Sequence, residues 1–390
     1  MKEENFNILV SCENDQELFD LTLITNSLKN KLPIKIHFFD MSPLYSSCLR
    51  LENQFDYSFK AINPYKTPFK KMSKRQKINT VFKNSLILAN YIEENNIKLM
   101  LTGVPLAPFR FARILKKFTH IAYMRSIILP SNFSHSFSDA INRKIKKVPF
   151  LNTLKIFNDW YCDYLFTIGE NNREFFIKQK NIEKDKVIIT GSFLLDYIKT
   201  QLKESENSDK KVLYFLTGAF KWHNNQAAHK EQLYWLEQFL SKFFSSRLEK
   251  EYKFVLRIHP RDTIEDYQNM IEYYKIAIDN SPTEKFLLKA NPNSIVISFL
   301  STLNFEWEYL GGKSLFVSTE KSRKIFSNFY KMLKIEPVKE VDKVLELISA
   351  YRFPKNKEVV QKVFYSHKEG NINFAVDFII DNILKKLNRL

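Results

Sequence analysis

Ten short apolar runs, set apart by stretches with helical spacing or by polar turns, limit what this chain can fold into. In the amino-terminal half they fall at residues 6–10, 34–39, 97–101, 121–123, 164–168 and 187–189, with helical periodicity over 80–94, 109–116 and 171–180. In the second half they fall at 212–216, 254–258, 294–297 and 315–317, alternating with helical patterns over 232–244, 263–274 and 303–310. Strands spaced in this way pair in parallel, because a parallel partner is reached through a crossover and the helix supplies it. Residues 201–211 (QLKESENSDKK) are polar and charged without apolar periodicity, which marks a connection between domains. The expected fold is therefore α/β, with two Rossmann-like domains facing each other across a cleft. An amino-terminal domain covers 1–200 and a second domain 212–370; 371–390 is an amphipathic helix with a basic end, which packs back on the first domain or lies on a membrane.

A chain of 390 residues exceeds one ordinary core, which also favours two domains. Its hydrophobic share of 44% excludes disorder, and no apolar stretch approaches the roughly 18 residues that a bilayer span needs. The start, Met1-Lys2-Glu3-Glu4-Asn5, carries acids and no apolar h-region, so a cytoplasmic location is expected. Cys12, Cys48 and Cys162 are odd in number and widely spaced, which fits buried thiols and argues against disulfides or a zinc site. The formal net charge of +17 calls for something anionic: membrane headgroups, an acidic glycan, a charged nucleotide donor or nucleic acid. Solvated surface accounts for most of these lysines. Nucleic acid is set aside, because aromatic and basic residues do not interleave as an RNA motif.

The chemistry concentrates in the second half. At Arg257-Ile258-His259-Pro260-Arg261-Asp262 an apolar strand ends in a His-Pro pair flanked by two arginines. Pro260 withdraws a backbone donor and pushes His259 out of helical space, so the imidazole is presented where open α/β sheets bind their ligands. With Arg257 and Arg261 adding positive charge, the segment reads as a site for a phosphate-bearing ligand. Thr217-Gly218-Ala219 ends the first strand of the same domain and either turns the chain or lines a phosphate pocket. Ser298-Phe299-Leu300-Ser301-Thr302 ends another strand and opens a helix, which suits an anion and equally suits a plain N-cap by Ser301 or Thr302. Ser281-Pro282-Thr283-Glu284 is sufficiently explained as a helix start; a nucleotide contact is the weaker proposal. With only seven glycines, the chain has neither G-x-G-x-x-G nor a Walker loop, so nicotinamide dinucleotide and P-loop chemistry have no support.

Taken in order, Thr217-Gly218, His259-Pro260-Arg261-Asp262, Ser281-Pro282-x-Glu284 and Ser301-Thr302 make about the last half of the chain resemble the donor half of bacterial GT-B sialyltransferases and polysialyltransferases that use CMP-activated sugars. Related capsule and lipooligosaccharide transferases share the resemblance. It implies a GT-B-like fold and inverting transfer of a sialic-acid-like sugar from CMP to a bacterial surface glycan or glycolipid, with His259, Ser301 and Thr302 holding the CMP phosphate. It also implies no cofactor beyond the CMP-sugar co-substrate and no metal, in keeping with the missing D-x-D near the cleft strands. His-Pro also occurs in CDP-glycerol glycerophosphotransferases, so a transferase of another nucleotide donor is the alternative. A non-catalytic polyanion-binding protein is the reading outside enzymes. The Gly191-Ser192-x-x-x-Asp196 segment is compatible with GT-B enzymes broadly.

An inverting transferase also needs a carboxylate or imidazole at the acceptor hydroxyl. Some polysialyltransferase-like enzymes carry an acidic pair followed by Gly in the first domain; here the segment after the fourth strand reads Met124-Arg125-Ser126-Ile127. The candidates are Glu13 and Asp15 in the loop after the first strand, and Glu231 or Glu237 in the helix after Gly218, each of which also reads as a solvated surface acid. His223, after Gly218, is eligible as well, and His37 reads as mid-strand core or surface.

Overall fold

The computed structural model describes residues 6–45, 49, 57–127, 160–202, 211–221, 223–354 and 357–387. The described residues up to Tyr197, with those from Phe364 on, form one compact unit, and those from Ile198 to Val363 form the other. The division falls inside the helix Phe193–Leu202, ahead of the expected connection at 201–211, most of which lies outside the described residues.

In the first unit β1 (Phe6–Cys12), β2 (Ile34–Asp40), β3 (Tyr57–Lys60), β4 (Leu99–Thr102), β5 (Thr119–Met124), β6 (Tyr164–Thr167) and β7 (Val187–Ile189) form a parallel sheet in the order β3-β2-β1-β4-β5-β6-β7. Ile8, Leu9, Val10, Leu99, Met100 and Leu101 are buried as unbroken runs, because helices cover both faces of such a sheet. The strand order reverses between β1 and β4, where Ser11 stands opposite Thr102, so the loops leaving these two strands open the sheet's crevice. His37 is core: its ring bonds the Tyr91 hydroxyl at 2.7 Å and Asn7 Oδ1 at 3.3 Å. Cys12 and Cys162 are buried free thiols, and Cys48 lies outside the described residues.

The second unit repeats the plan with β8 (Val212–Leu216), β9 (Lys253–Arg257), β10 (Ala277–Ile278), β11 (Ile295–Ser298) and β12 (Lys313–Phe316), in the order β10-β9-β8-β11-β12. The helix Gln226–Phe244 lays Trp235, Leu236, Phe239, Leu240 and Phe243 against this sheet. Among the described residues no helix is long and apolar enough to cross a membrane.

The carboxy-terminal segment is the helix Asn371–Ile379, continued by a π turn, and it belongs to the first unit. Ala375, Val376, Ile379, Ile383 and Leu384 are buried, Phe378 meets the rings of Tyr164 and Phe166, and Lys31 pairs with Asp377 at 2.7 Å. Its apolar face is thereby used up, and Lys385 pairs with Asp381 at 2.7 Å. Gly191-Ser192-x-x-x-Asp196 seats this helix: Asp196 accepts the amides of Asn371 and Ile372, and Asn371 Nδ2 donates to the Ser192 carbonyl at 3.2 Å. Gly191 has a φ of +78°, and a Cβ there would overlap the Asn371 side chain. Gly191→Ala is therefore expected to cost on the order of 2 kcal/mol or more, read as a lower Tm in thermal unfolding. An unchanged Tm would mean that the helix is not seated on this turn.

Candidate functional site

In the second unit the strand order reverses between β8 and β11, and Leu216 of β8 stands opposite both Arg257 of β9 and Ser298 of β11. The loops leaving these three strands carry Thr217-Gly218, His259-Pro260-Arg261-Asp262 and Ser301-Thr302, so topology alone brings these segments to one edge. Thr217 Oγ1 accepts the His259 N–H at 2.8 Å, and Thr217 N–H donates to the Arg257 carbonyl at 3.1 Å. Pro260 has no N–H to give, and the next one, Arg261 N–H, turns back to His259 Nδ1 at 3.1 Å. With Nδ1 accepting, the hydrogen of the neutral ring sits on Nε2. Burial, and then the neighbouring Arg261 charge, push the ring down to about 4, so His259 is neutral at physiological pH and offers an N–H, not a cation.

A buried chain of hydrogen bonds holds this loop from beneath. Gly218 N–H donates to Gln232 Oε1 at 2.7 Å, Gln232 Nε2 donates to the Tyr267 hydroxyl at 2.7 Å, and that hydroxyl donates to Asp262 Oδ2 at 2.5 Å. Gly218 is needed for close approach: a Cβ there would lie 2.9 Å from the Phe220 ring. His229, buried on the same helix as Gln232, bonds Asp266 through Nε2 at 3.0 Å, and its Nδ1 lies 3.8 Å from Asp262. Sequence reasoning missed Gln232, Tyr267 and His229. For Gln232 and His229 the available signal was polar side chains on the apolar stripe of the helix 226–244, which burial tolerates only when they are hydrogen-bonded.

Arg257 departs from expectation. Its guanidinium faces Asp279 at 3.2 Å, donates to the Ser281 carbonyl at 2.8 Å and lies over the Phe286 ring at 4.3 Å. A buried charge must be paired, and this one is spent on the turn it organises, not on the strand-end edge. Ser281 belongs to the same cluster: its amide and hydroxyl donate to Asp279 Oδ1, and Lys289 bonds Asp279 as well. Pro282 is the residue before the short helix Thr283–Leu287, which places Glu284 in its first turn. Ser301 is the N-cap of the helix Thr302–Tyr309, accepting the Leu303 amide at 3.2 Å. Buried Asn304 accepts from Ser298 at 2.6 Å and donates to the Leu315 carbonyl at 3.3 Å, tying this helix start to β11 and β12.

Two of the carboxylates considered as a base belong to the helix Gln226–Phe244. Glu231 Oε2 accepts the Lys321 amide at 2.9 Å and so serves the helix Glu320–Leu333, and Glu237 is an exposed residue of the helix Gln226–Phe244. His223 is exposed in the turn after Phe220.

In the first unit Glu13 leaves β1, whereas Asp15 is not in a loop but starts the helix Asp15–Lys31, whose N-cap Asn14 accepts the amides of Gln16 and Glu17 at 3.1 and 3.0 Å. The unexpected group is Glu17. Its carboxylate takes the Glu13 amide at 3.2 Å and lies against the Gly103 backbone at the end of β4, where any Cβ would overlap it. Burial first, and then the Glu13 charge, push Glu17 up to about 8. Asp20, one turn on and buried, pairs with Arg125 at 3.0 Å. Asn14-x-x-Glu17 looks from sequence like an ordinary helix cap, and only the β1/β4 reversal shows that this cap sits at the crevice of the sheet.

Among the described residues one group of metal-ligating type stands out: His229, Asp262 and Asp266 offer atoms within 4.8 Å of one another. Lys221 already gives Asp266 a positive partner at 2.7 Å.

Two doubly wound parallel domains of this order make a GT-B-like fold. The chain shares it with the UDP-GlcNAc 2-epimerase of Neisseria meningitidis bound to UDP-GlcNAc, at 15% identity over 97% of this chain and 100% of that one, with a TM-score of 0.60. It shares it also with the Methanocaldococcus jannaschii UDP-GlcNAc 2-epimerase in complex with UDP-GlcNAc and UDP, at 12% identity over 96% and 99%, TM-score 0.61. A histidine-to-asparagine variant of the wall teichoic acid polymerase TagF with CDPG matches at 13% identity over 98% and 89%, TM-score 0.58. At these identities the likeness is one of fold. No protein-family model and no curated protein matches the chain by sequence.

Proposed function

We propose that the protein is an inverting GT-B transferase that moves a sialic-acid-like sugar from a CMP-activated donor to a bacterial surface glycan, lipooligosaccharide or capsule, on the cytoplasmic side of the membrane. The observation that carries this reading is a neutral His259, held by Thr217 and by the Arg261 amide at the β8/β11 reversal, with the helix start at Ser301-Thr302 on the same edge. In such a transfer the bond from the anomeric carbon to the phosphate oxygen breaks, and charge grows on the departing CMP. Fixed N–H donors at that position stabilise it without having to reorganise. The acceptor hydroxyl gives its proton to a base. Glu17 suits that role, because a carboxyl raised to about 8 is, once ionised, a stronger base than an ordinary carboxylate.

A second reading is favoured by the fold shared with TagF: a CDP-linked donor, whose displacement also releases CMP. Both readings expect cytidine recognition. Thermal unfolding with CMP, CDP, UDP or GDP, with and without EDTA, tests them, because a ligand at about a hundred times its Kd stabilises the native state by about 2.7 kcal/mol. CMP is expected to raise the Tm, with EDTA making no difference. Stabilisation by UDP alone would replace the donor, and loss with EDTA restored by a divalent cation would bring His229, Asp262 and Asp266 into the site as ligands. A chain that responds to none of the four is not a nucleotide-dependent transferase.

A further inference from the structure

The helix Lys74–Glu94 is amphipathic in the wrong sense over its first half. Thr80, Asn84 and Ser85 face the core, where Asn84 bonds both backbone groups of Ile62, while Ile78, Phe82 and Leu86 form an i, i+4, i+8 stripe in solvent. Ile78 is 71% exposed and Phe82 57%. The helix Ala107–Leu115, which packs against it, adds exposed Phe111, Ile114 and Leu115. Elsewhere in the described chain the exposed large apolar side chains are mostly tyrosines, which tolerate water. An apolar concentration of this kind on a folded surface marks an interaction site.

The charge around it says what the partner is. Residues 57–92 contain no Asp or Glu, and Lys70, Lys71, Lys74, Arg75, Lys77 and Lys83 are all exposed there. The nearest acid on the helix end, Glu93, is paired with Lys116 at 2.5 Å. The apolar residues are exposed on the outer faces of two helices, which suits insertion into a soft surface. A second copy of this face would bring like charges together and be repelled. We infer that the paired helices Lys74–Glu94 and Ala107–Leu115 form a monotopic docking face for an anionic bilayer, with Ile78, Phe82 and Ile114 entering the headgroup boundary and the flanking lysines meeting lipid phosphates. The basic tail at Lys385 and Lys386 has no comparable role, since its helix has buried its apolar face.

The test is co-sedimentation of the full chain with phosphatidylcholine vesicles, with and without phosphatidylglycerol, at low and high salt. Binding is expected only with the anionic lipid and should weaken with salt, because exposed charges are screened beyond about 8 Å at physiological ionic strength. Ile78→Ser with Phe82→Ser should reduce partition about tenfold or more, and Lys74→Glu with Lys77→Glu and Lys83→Glu should abolish the preference for phosphatidylglycerol. Lys385→Glu with Lys386→Glu should change neither. All these positions are exposed, and an unchanged Tm verifies that each variant is folded. Three outcomes overturn the inference: no binding to anionic vesicles at low salt, binding that survives Ile78→Ser with Phe82→Ser, or a dimer in light scattering that this pair of substitutions dissociates.

Discussion

His259→Ala is expected to lower turnover about a hundredfold and to weaken CMP binding while leaving the Tm within about a degree of wild type, since one fixed donor to developing phosphate charge is worth about 3 kcal/mol. The small stability effect follows from where the side chain is bonded. Its Nδ1 accepts from Arg261 N–H, and the loop is held independently by Thr217 and by the buried Gly218, Gln232, Tyr267 and Asp262 chain. His259→Asn keeps a neutral N–H and should recover part of the loss, which a merely space-filling role would not show. The ring titrates near 4, so the dependence of kcat on pH should be flat through the ordinary histidine range as far as His259 is concerned. A loss of activity above about 6.5 that disappears in His259→Asn would mean that the cation does the work. Wild-type kinetics and CMP affinity in His259→Ala would remove this edge from the mechanism altogether.

The sheet plan was legible because buried parallel strands leave a simple trace: the apolar runs 6–10, 97–101, 212–216 and 254–258 overlap β1, β4, β8 and β9, with ends that differ by up to two residues. β3 and β10 left little trace, being short edge strands of four and two residues. The helices Glu320–Leu333 and Val341–Ser349 lie outside the elements expected above, although Phe326, Phe329, Tyr330 and Leu333, and Val341, Val344 and Ile348, have helical spacing. In the candidate site, what followed from strand ends was visible: Thr217, His259 and Ser301 are where the alternation puts them. What depended on side-chain pairing was not. Arg257 reads as a phosphate cation until Asp279, 22 residues away, takes its charge. Glu17 reads as a cap until Gly103, from another crossover, closes over it. Such pairings are set by tertiary contact and leave no local pattern.

Glu17→Gln is expected to separate the base from the donor site, since nucleotide binding in the second unit should be unchanged while turnover falls by about a hundredfold to ten-thousandfold, the usual contribution of general base catalysis. Glutamine has the same shape and fits against Gly103, so the loss would be one of proton acceptance, not of packing. The same substitution has a signature in stability. The native carboxyl holds its proton up to about 8, whereas the unfolded one releases it near 4.5, so between these limits the native state binds more protons. Wild-type stability should therefore fall as pH rises through that window and level off above it, at about 1.4 kcal/mol for each unit of separation before relaxation of the site reduces it. Glu17→Gln should remove this slope, matching wild type at low pH and exceeding it on the alkaline side. Wild-type activity should in turn rise toward pH 8 as the carboxylate ionises, so the form that is costly to the fold is the one that works. Denaturant unfolding at a series of pH values, set beside kcat for both proteins, checks both effects. An equal slope in the two would show Glu17 to be an ordinary capping carboxylate and turn the search to Glu13, whose own amide Glu17 holds.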